Sequence, residues 1–157
     1  MKLWIVRHGE AEAHAASDSA RALTAHGQQQ AAAVGDFLQA APTIDQVLVS
    51  PYRRAQQTCA AILASSGLTV EAQTVTWLTP DGSVAEVIRQ LEALQGESQV
   101  WEVLLVSHQP LVSQLISWLV EGHGQGRYPM APASVTCIEG DFVAPGLMRV
   151  QQVRHAD

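Results

Sequence analysis

The chain has 157 residues, a formal charge of −6 and 47 % apolar residues. That length suits one domain over 1–157 with a core of its own, and the apolar share excludes a disordered chain. The acidic balance argues against a nucleic-acid binder, which needs basic surface; no apolar run is long enough to span a membrane, so a cytoplasmic protein is expected.

Residues 3–7 read as a short buried strand ending at His8-Gly9. Its apolar part, residues 3–6, is too short for the h-region of a signal peptide. Residues 10–22 are small and polar and read as a loop. Thr24 can cap a helix running to about Ala41, with Val34, Phe37 and Leu38 on one side and Pro42 after its end. A second strand covers 47–50. Ser50-Pro51 then reads as a helix start, with Ser at the N-cap and Pro at the first helical position, and Gly67 ends that helix after about Ser65. Residues 70–75 give a weaker third strand. Ser83 to Glu86 has the capping-box pattern and opens a helix to about Leu94. Residues 102–107 (EVLLVS) are the clearest buried strand, followed by His108-Gln109-Pro110 and a helix over 110–120. Two late strands, 134–138 and 147–153, close the chain.

Strand and helix alternate, then two strands follow. The expected fold is α/β with three layers: a mostly parallel sheet between helices, with an antiparallel strand at one edge. Three strand ends carry notable groups: Arg7-His8-Gly9, Ser50-Pro51 with Arg53-Arg54 one turn on, and Ser107-His108. In open α/β sheets ligands bind beyond the carboxyl ends of parallel strands. Two histidines and two arginines converging there would select a phosphoryl group, helped by free N–H groups at the helix starts after Ser50 and His108.

The cations agree with a local anion site: Lys2 is the single lysine, and Arg7, Arg21, Arg53 and Arg54 are four of eight arginines. Cys59 and Cys137 have no paired spacing and read as buried small residues, so no structural zinc is expected. His14, His26, His123 and His155 lack ligand spacing and read as surface. Trp4, Trp77, Trp101 and Trp118 read as core or rim, and Arg53 as solvent-facing. No Walker or dinucleotide loop is present.

The RHG at 7–9 after an N-terminal strand resembles the signature of the histidine phosphatase superfamily, which includes the phosphoglycerate mutases. Residues 49–58 (VSPYRRAQQT) are similar to that superfamily's second arginine motif, and Leu23-Thr24 with Gly27 and the run 106–108 (VSH) also match. The short length and residues 16–24 (ASDSARALT) resemble the SixA-type phosphohistidine phosphatases. The resemblance covers about residues 3–120. It implies a phosphoglycerate mutase-like fold with His8 as the nucleophile that becomes phosphorylated. Arg7 and Arg54 would grip the phosphoryl oxygens, His108 would be the second pocket histidine, and Arg21 an extra substrate contact.

The chemistry agrees with these roles. A histidine attacks through a neutral nitrogen, so the other nitrogen must hold its proton, and a carbonyl near Gly9 is a natural acceptor. Arg7, Arg54 and a protonated His108 would neutralise the phosphoryl oxygens. Arginines can do this charge work, so no metal or organic cofactor is expected.

Many superfamily members carry an acid after the third strand, yet residues 77–82 (WLTPDG) offer no matching glutamate. Asp81, Glu10 and Asp18 are the substitutes. An alkoxide-like leaving group, with a parent acid near ~15.7 for water, needs such a proton donor; an imidazole, with a conjugate acid near ~6.5, needs it far less. The departure therefore favours a phosphohistidine substrate with phosphate as product, and the short, SixA-like length fits a histidine displayed on a signalling protein and a monomeric enzyme. Two alternatives stay open: a phosphatase of small phosphomonoesters, and a non-catalytic phosphoprotein-binding module.

Overall fold

The computed structural model describes residues 1–156. Six strands form one sheet: β1 (Lys2–Arg7), β2 (Gln46–Val49), β3 (Ala72–Thr74), β4 (Glu102–Ser107), β5 (Val135–Glu139) and β6 (Arg149–Arg154), in the order β3-β2-β4-β1-β5-β6. β3, β2, β4 and β1 are mutually parallel. β5 runs antiparallel to β1, and the edge strand β6 antiparallel to β5.

Alternation along β1 shows why two helical layers are needed. Leu3 and Ile5 pack on one face with Val87 and Leu91 of α3 (Val84–Glu97) and Leu115 and Leu119 of α4 (Leu111–Glu121). Trp4 and Val6 pack on the other with Val34 and Leu38 of α1 (Ala25–Leu38) and Ala55, Cys59 and Ile62 of α2 (Arg53–Ser66). β4 is buried at every position, its apolar run 103–106 covered on both faces and Glu102 accepting from Trp4 Nε1 and Thr43 Oγ1. Each fully buried Leu or Ile here contributes about 1.5–3 kcal/mol of transfer free energy.

Caps set several helix ends. Thr24 Oγ1 accepts from Gly27 N at 2.9 Å, and Ser83 Oγ from Glu86 N at 3.3 Å. Gly67 closes α2 in the left-handed region at φ 77°. The expectation of Ser50 as N-cap is corrected: α2 starts at Arg53 with Tyr52 at the cap position. The third strand is shorter than 70–75, three exposed residues at the sheet edge. α1 stops at Leu38, before Ala41, and α3 continues past Leu94 to Glu97. Both cysteines are buried, and burial pushes each thiol up to about 12. Trp4 is core, whereas Trp101 and Trp118 are exposed. Among the described residues, no helix is long and apolar enough to cross a membrane.

Candidate active site

Parallel register brings three strand ends together. Arg7 lies beside Ser107 in the β1–β4 ladder, and Val49 beside Val106 in the β2–β4 ladder. The next backbone groups continue both ladders: His8 N donates to Ser107 O at 3.0 Å, and Ser50 N to Val106 O at 3.1 Å. His108, after the central strand, therefore has His8 on one side and Ser50 on the other. The His8 and His108 rings are 5.1 Å apart, centre to centre.

His8 is 7 % exposed, and its Nδ1 lies 2.7 Å from Gly9 O. A carbonyl only accepts, so Nδ1 carries the proton and Nε2 keeps its lone pair. Arg54 Nε donates to that Nε2 at 3.3 Å, which requires the same tautomer. Burial, with lesser contributions from the Arg54, Arg7 and Arg21 charges, brings the imidazole down to about 4 despite the opposing bond to Gly9. The ring is neutral at pH 7.

The backbone around His8 is fixed from both sides. Ala133 N donates to the carbonyls of Arg7 and His8, both at 3.0 Å. Gly9 N donates to Thr58 Oγ1 at 3.0 Å, and that hydroxyl donates to Arg54 O at 2.7 Å. Thr58 sits one turn beyond Arg54 on α2 and is fully buried, so one side chain ties the turn holding His8 to the turn holding Arg54. A Cβ on Gly9 would lie 2.7 Å from Gly27 O, so α1 crosses too closely here for any larger residue.

Arg54 is 4 % exposed and each of its three nitrogens donates locally, Nη1 to Asp18 O at 2.7 Å and Nη2 to Asp18 Oδ2 at 3.2 Å, besides Nε to His8, which leaves one N–H on each Nη for an anion. The other Asp18 oxygen accepts from Arg21 Nη1 at 3.0 Å, and Arg21 Nε donates to Glu12 O at 2.6 Å. Asp18 thus bridges Arg21 and Arg54 from the 10–22 loop, in a short 3-10 turn (Asp18–Ala20). The bonds from Arg21 and Arg54 hold its carboxyl below the usual range. Arg7 Nη1 donates to Met130 O at 3.0 Å, while its Nε is buried with no partner among the described residues. Arg53 is exposed, as expected.

His108 is 1 % exposed; Nε2 meets Ser50 Oγ at 2.7 Å, and Nδ1 is buried with no partner among the described residues. Tyr52 packs edge-on against its ring at 5.1 Å and also carries the Arg54 guanidinium over its face at 5.1 Å. Burial, then the His8 and Arg54 charges, lower this imidazole to about 3. The expectation of a protonated His108 is corrected: three cationic or potentially cationic neighbours and a dry setting keep it neutral.

Arg7, His8, Arg54 and His108 are therefore brought together, with Arg21 linked to them through Asp18. Sequence reasoning missed Thr58, Tyr52 and the tethering role of Asp18. The i to i+4 spacing of Arg54 and Thr58 was the available signal for the first; nothing local marks the others. Of the substitute acids, Asp81 accepts from Thr79 Oγ1 at 2.8 Å, Glu10 from Thr24 Oγ1 at 3.1 Å, and Asp18 is ion-paired. A hollow of about 790 Å³ elsewhere, lined by Ile88, Gln114 and Trp118 among others, includes none of the four central residues. Among the described residues no cluster of three or more His, Cys, Asp or Glu could hold a metal.

Residues 3–75 match the profile of the Histidine phosphatase superfamily (branch 1). The chain is 41 % identical to the phosphohistidine phosphatase SixA homolog of Haemophilus influenzae over 127 residues, 76 % of this chain and 77 % of that one. It is 39 % identical to phosphohistidine phosphatase SixA of Escherichia coli over 141 residues, covering 88 % and 87 %. The solved structure of the protein histidine phosphatase SixA complexed with tungstate superposes with a TM-score of 0.87 at 33 % identity, over 99 % of this chain and 97 % of that one. Its fold is accordingly phosphoglycerate mutase-like, shared at 19 % identity and TM-score 0.75 with a mycobacterial glucosyl-3-phosphoglycerate phosphatase. The chain belongs to the histidine phosphatase superfamily, as a phosphatase of its SixA type.

Proposed function

We propose that this enzyme removes phosphate from a phosphohistidine displayed on a signalling protein, through a phospho-His8 intermediate. The observation that carries the reading is the His8 geometry: Nδ1–H held by Gly9 O at 2.7 Å and a lone pair on Nε2. In the first step Nε2 attacks phosphorus, the substrate P–N bond breaks, and its electron pair leaves on the substrate imidazole. That ring departs neutral when its other nitrogen is protonated, so no carboxylic acid is needed. Phospho-His8, its Nδ1 proton kept by Gly9, is then an equally good leaving group. Water attacks phosphorus, the pair returns to Nε2, and phosphate leaves with a water proton lost to solvent.

Arg7, Arg54 and His108 stabilise the charge on the phosphoryl oxygens in both steps. Two buried nitrogens support this role: Arg7 Nε and His108 Nδ1 lack protein partners, and phosphoryl oxygens would supply them. Arg21 contacts the substrate from the loop side. The named relatives support phosphohistidine as the substrate class, and so does Asp18, whose ion pairs keep it ionised and unsuited to donate a proton. The whole of 1–157 would act as a single cytoplasmic domain, as a monomer.

The test is phosphate release from a phosphohistidine-bearing phosphotransfer domain by wild type and His8→Ala, alongside an aryl phosphate and a sugar phosphate. The expected result is release from the protein substrate faster than from the sugar phosphate, and its loss in His8→Ala. Equal or inverted rates would sink the substrate assignment.

A further inference from the structure

Ser50 faces His108 from the strand end on the side away from His8, and its hydrogen bonds fix a proton that the histidine alone leaves undetermined. Ser50 is fully buried. Its Oγ accepts from Tyr52 N at 3.2 Å and lies 2.7 Å from His108 Nε2. A hydroxyl has one proton to give. The neighbouring polar groups in its reach are the Tyr52 N–H, which is a donor, and His108 Nε2.

Two arrangements satisfy the 2.7 Å contact, and they differ in what they strand. If Nε2–H donates, the Ser50 proton has no acceptor among its described contacts, and Nδ1 is a buried lone pair facing an arginine-rich site. If Ser50 O–H donates, the hydroxyl is fully used, Nε2 is the acceptor, and the ring proton sits on Nδ1. That Nδ1 is the buried nitrogen left without a protein partner. The second arrangement leaves one unpaired group, a donor that an anion can use; the first leaves two, a Ser50 proton without an acceptor and an Nδ1 lone pair that an anion cannot use.

We propose that Ser50 is a positioning residue that donates to His108 Nε2 and fixes the Nδ1–H tautomer, so that His108 offers a hydrogen bond to the phosphoryl oxygens. The inference rests on the phosphoryl-transfer reading of the site. Burial and the surrounding Arg54, Arg7 and His8 keep His108 neutral against the single opposing charge of Asp18, so its usefulness to an anion depends on which nitrogen holds the proton.

The deciding measurement is long-range ¹H–¹⁵N correlation on histidine-labelled protein at pH 7.5, with His108 assigned by its loss in His108→Gln. Wild type is expected to show a protonated Nδ1 and an unprotonated Nε2; a protonated Nε2 overturns the proposal whatever the activity. Ser50→Ala is expected to move the proton toward Nε2 and to lower kcat on the phosphotransfer domain about tenfold or more with a smaller change in KM, while Ser50→Thr, which keeps the hydroxyl, retains both the signature and the rate. A Ser50→Ala protein that keeps the wild-type tautomer removes Ser50 from the role. Inactivity of wild type on phosphohistidine together with the Nδ1–H signature would refute the substrate reading and leave the tautomer assignment standing.

Discussion

At the scale of single residues, each polar contact in the site decides a protonation state. Gly9 O fixes the proton of His8, and the Arg21 and Arg54 bonds to Asp18 keep that carboxyl ionised. Asp18 therefore acts through the two arginines it bridges, and its side chain is 57 % exposed, which limits the strength of each ion pair. Asp18→Asn keeps the shape and removes the charge. It is expected to lower kcat/KM by less than about tenfold, the size of an exposed ion pair, because Arg54 also donates to Asp18 backbone O at 2.7 Å. The slope of rate against leaving-group pKa across a series of aryl phosphates should not change. A steeper slope in Asp18→Asn would instead identify Asp18 as the acid that protonates the leaving group.

At the scale of elements, parallel strands do most of the placing and helices lock the result. β1 and β4 were legible because their apolar runs are continuous and end in Arg7-His8 and Ser107-His108. Pairing in register then brings the two histidines together without further information. The start of α2 was misread because cap preference is local: Ser50 Oγ accepts from Tyr52 N and meets a histidine 58 positions away, while the helix itself opens only at Arg53. Asp18 was legible only as a carboxylate, since its partner Arg54 belongs to a different element. β3 has little to bury, so its pattern is weak in sequence and short in structure. The α1–α2 crossing shows the same limit: α1 has a glycine mid-helix, at a cost of roughly 1 kcal/mol in propensity, for a reason found only on α2. A Cβ at Gly35 would overlap Ser65 Oγ and lie 2.5 Å from Ile62 O. Gly35→Ala is therefore expected to destabilise by about 1–3 kcal/mol despite better helix propensity, read as a lower urea midpoint with an unchanged slope. A stability gain would mean the helices can separate freely there.

At the scale of the whole molecule, the site and the fold share a proton balance. Two buried imidazoles sit at the carboxyl end of the sheet, and burial with the surrounding arginines brings His8 to about 4 and His108 to about 3. In the unfolded chain both return to near ~6.5. Between those values the unfolded state binds more protons than the native state, so stability rises with pH there. The contribution is fully present above about pH 6.5, and it is lost as pH falls through the native values. One pH step across this window is worth about 1.4 kcal/mol for each histidine, so acidification from pH 7.5 to 4.5 should remove a few kcal/mol in total. The expected measurement is a urea midpoint that falls steadily below pH 6.5 in wild type. In His108→Gln the fall should be about half as steep, because one of the two depressed imidazoles is gone. The carboxyl of Asp18, held below its usual range, adds a loss in the same direction only at more acidic pH. An identical slope in wild type and His108→Gln would place the acid sensitivity elsewhere in the molecule and remove the neutral, buried state assigned to His108.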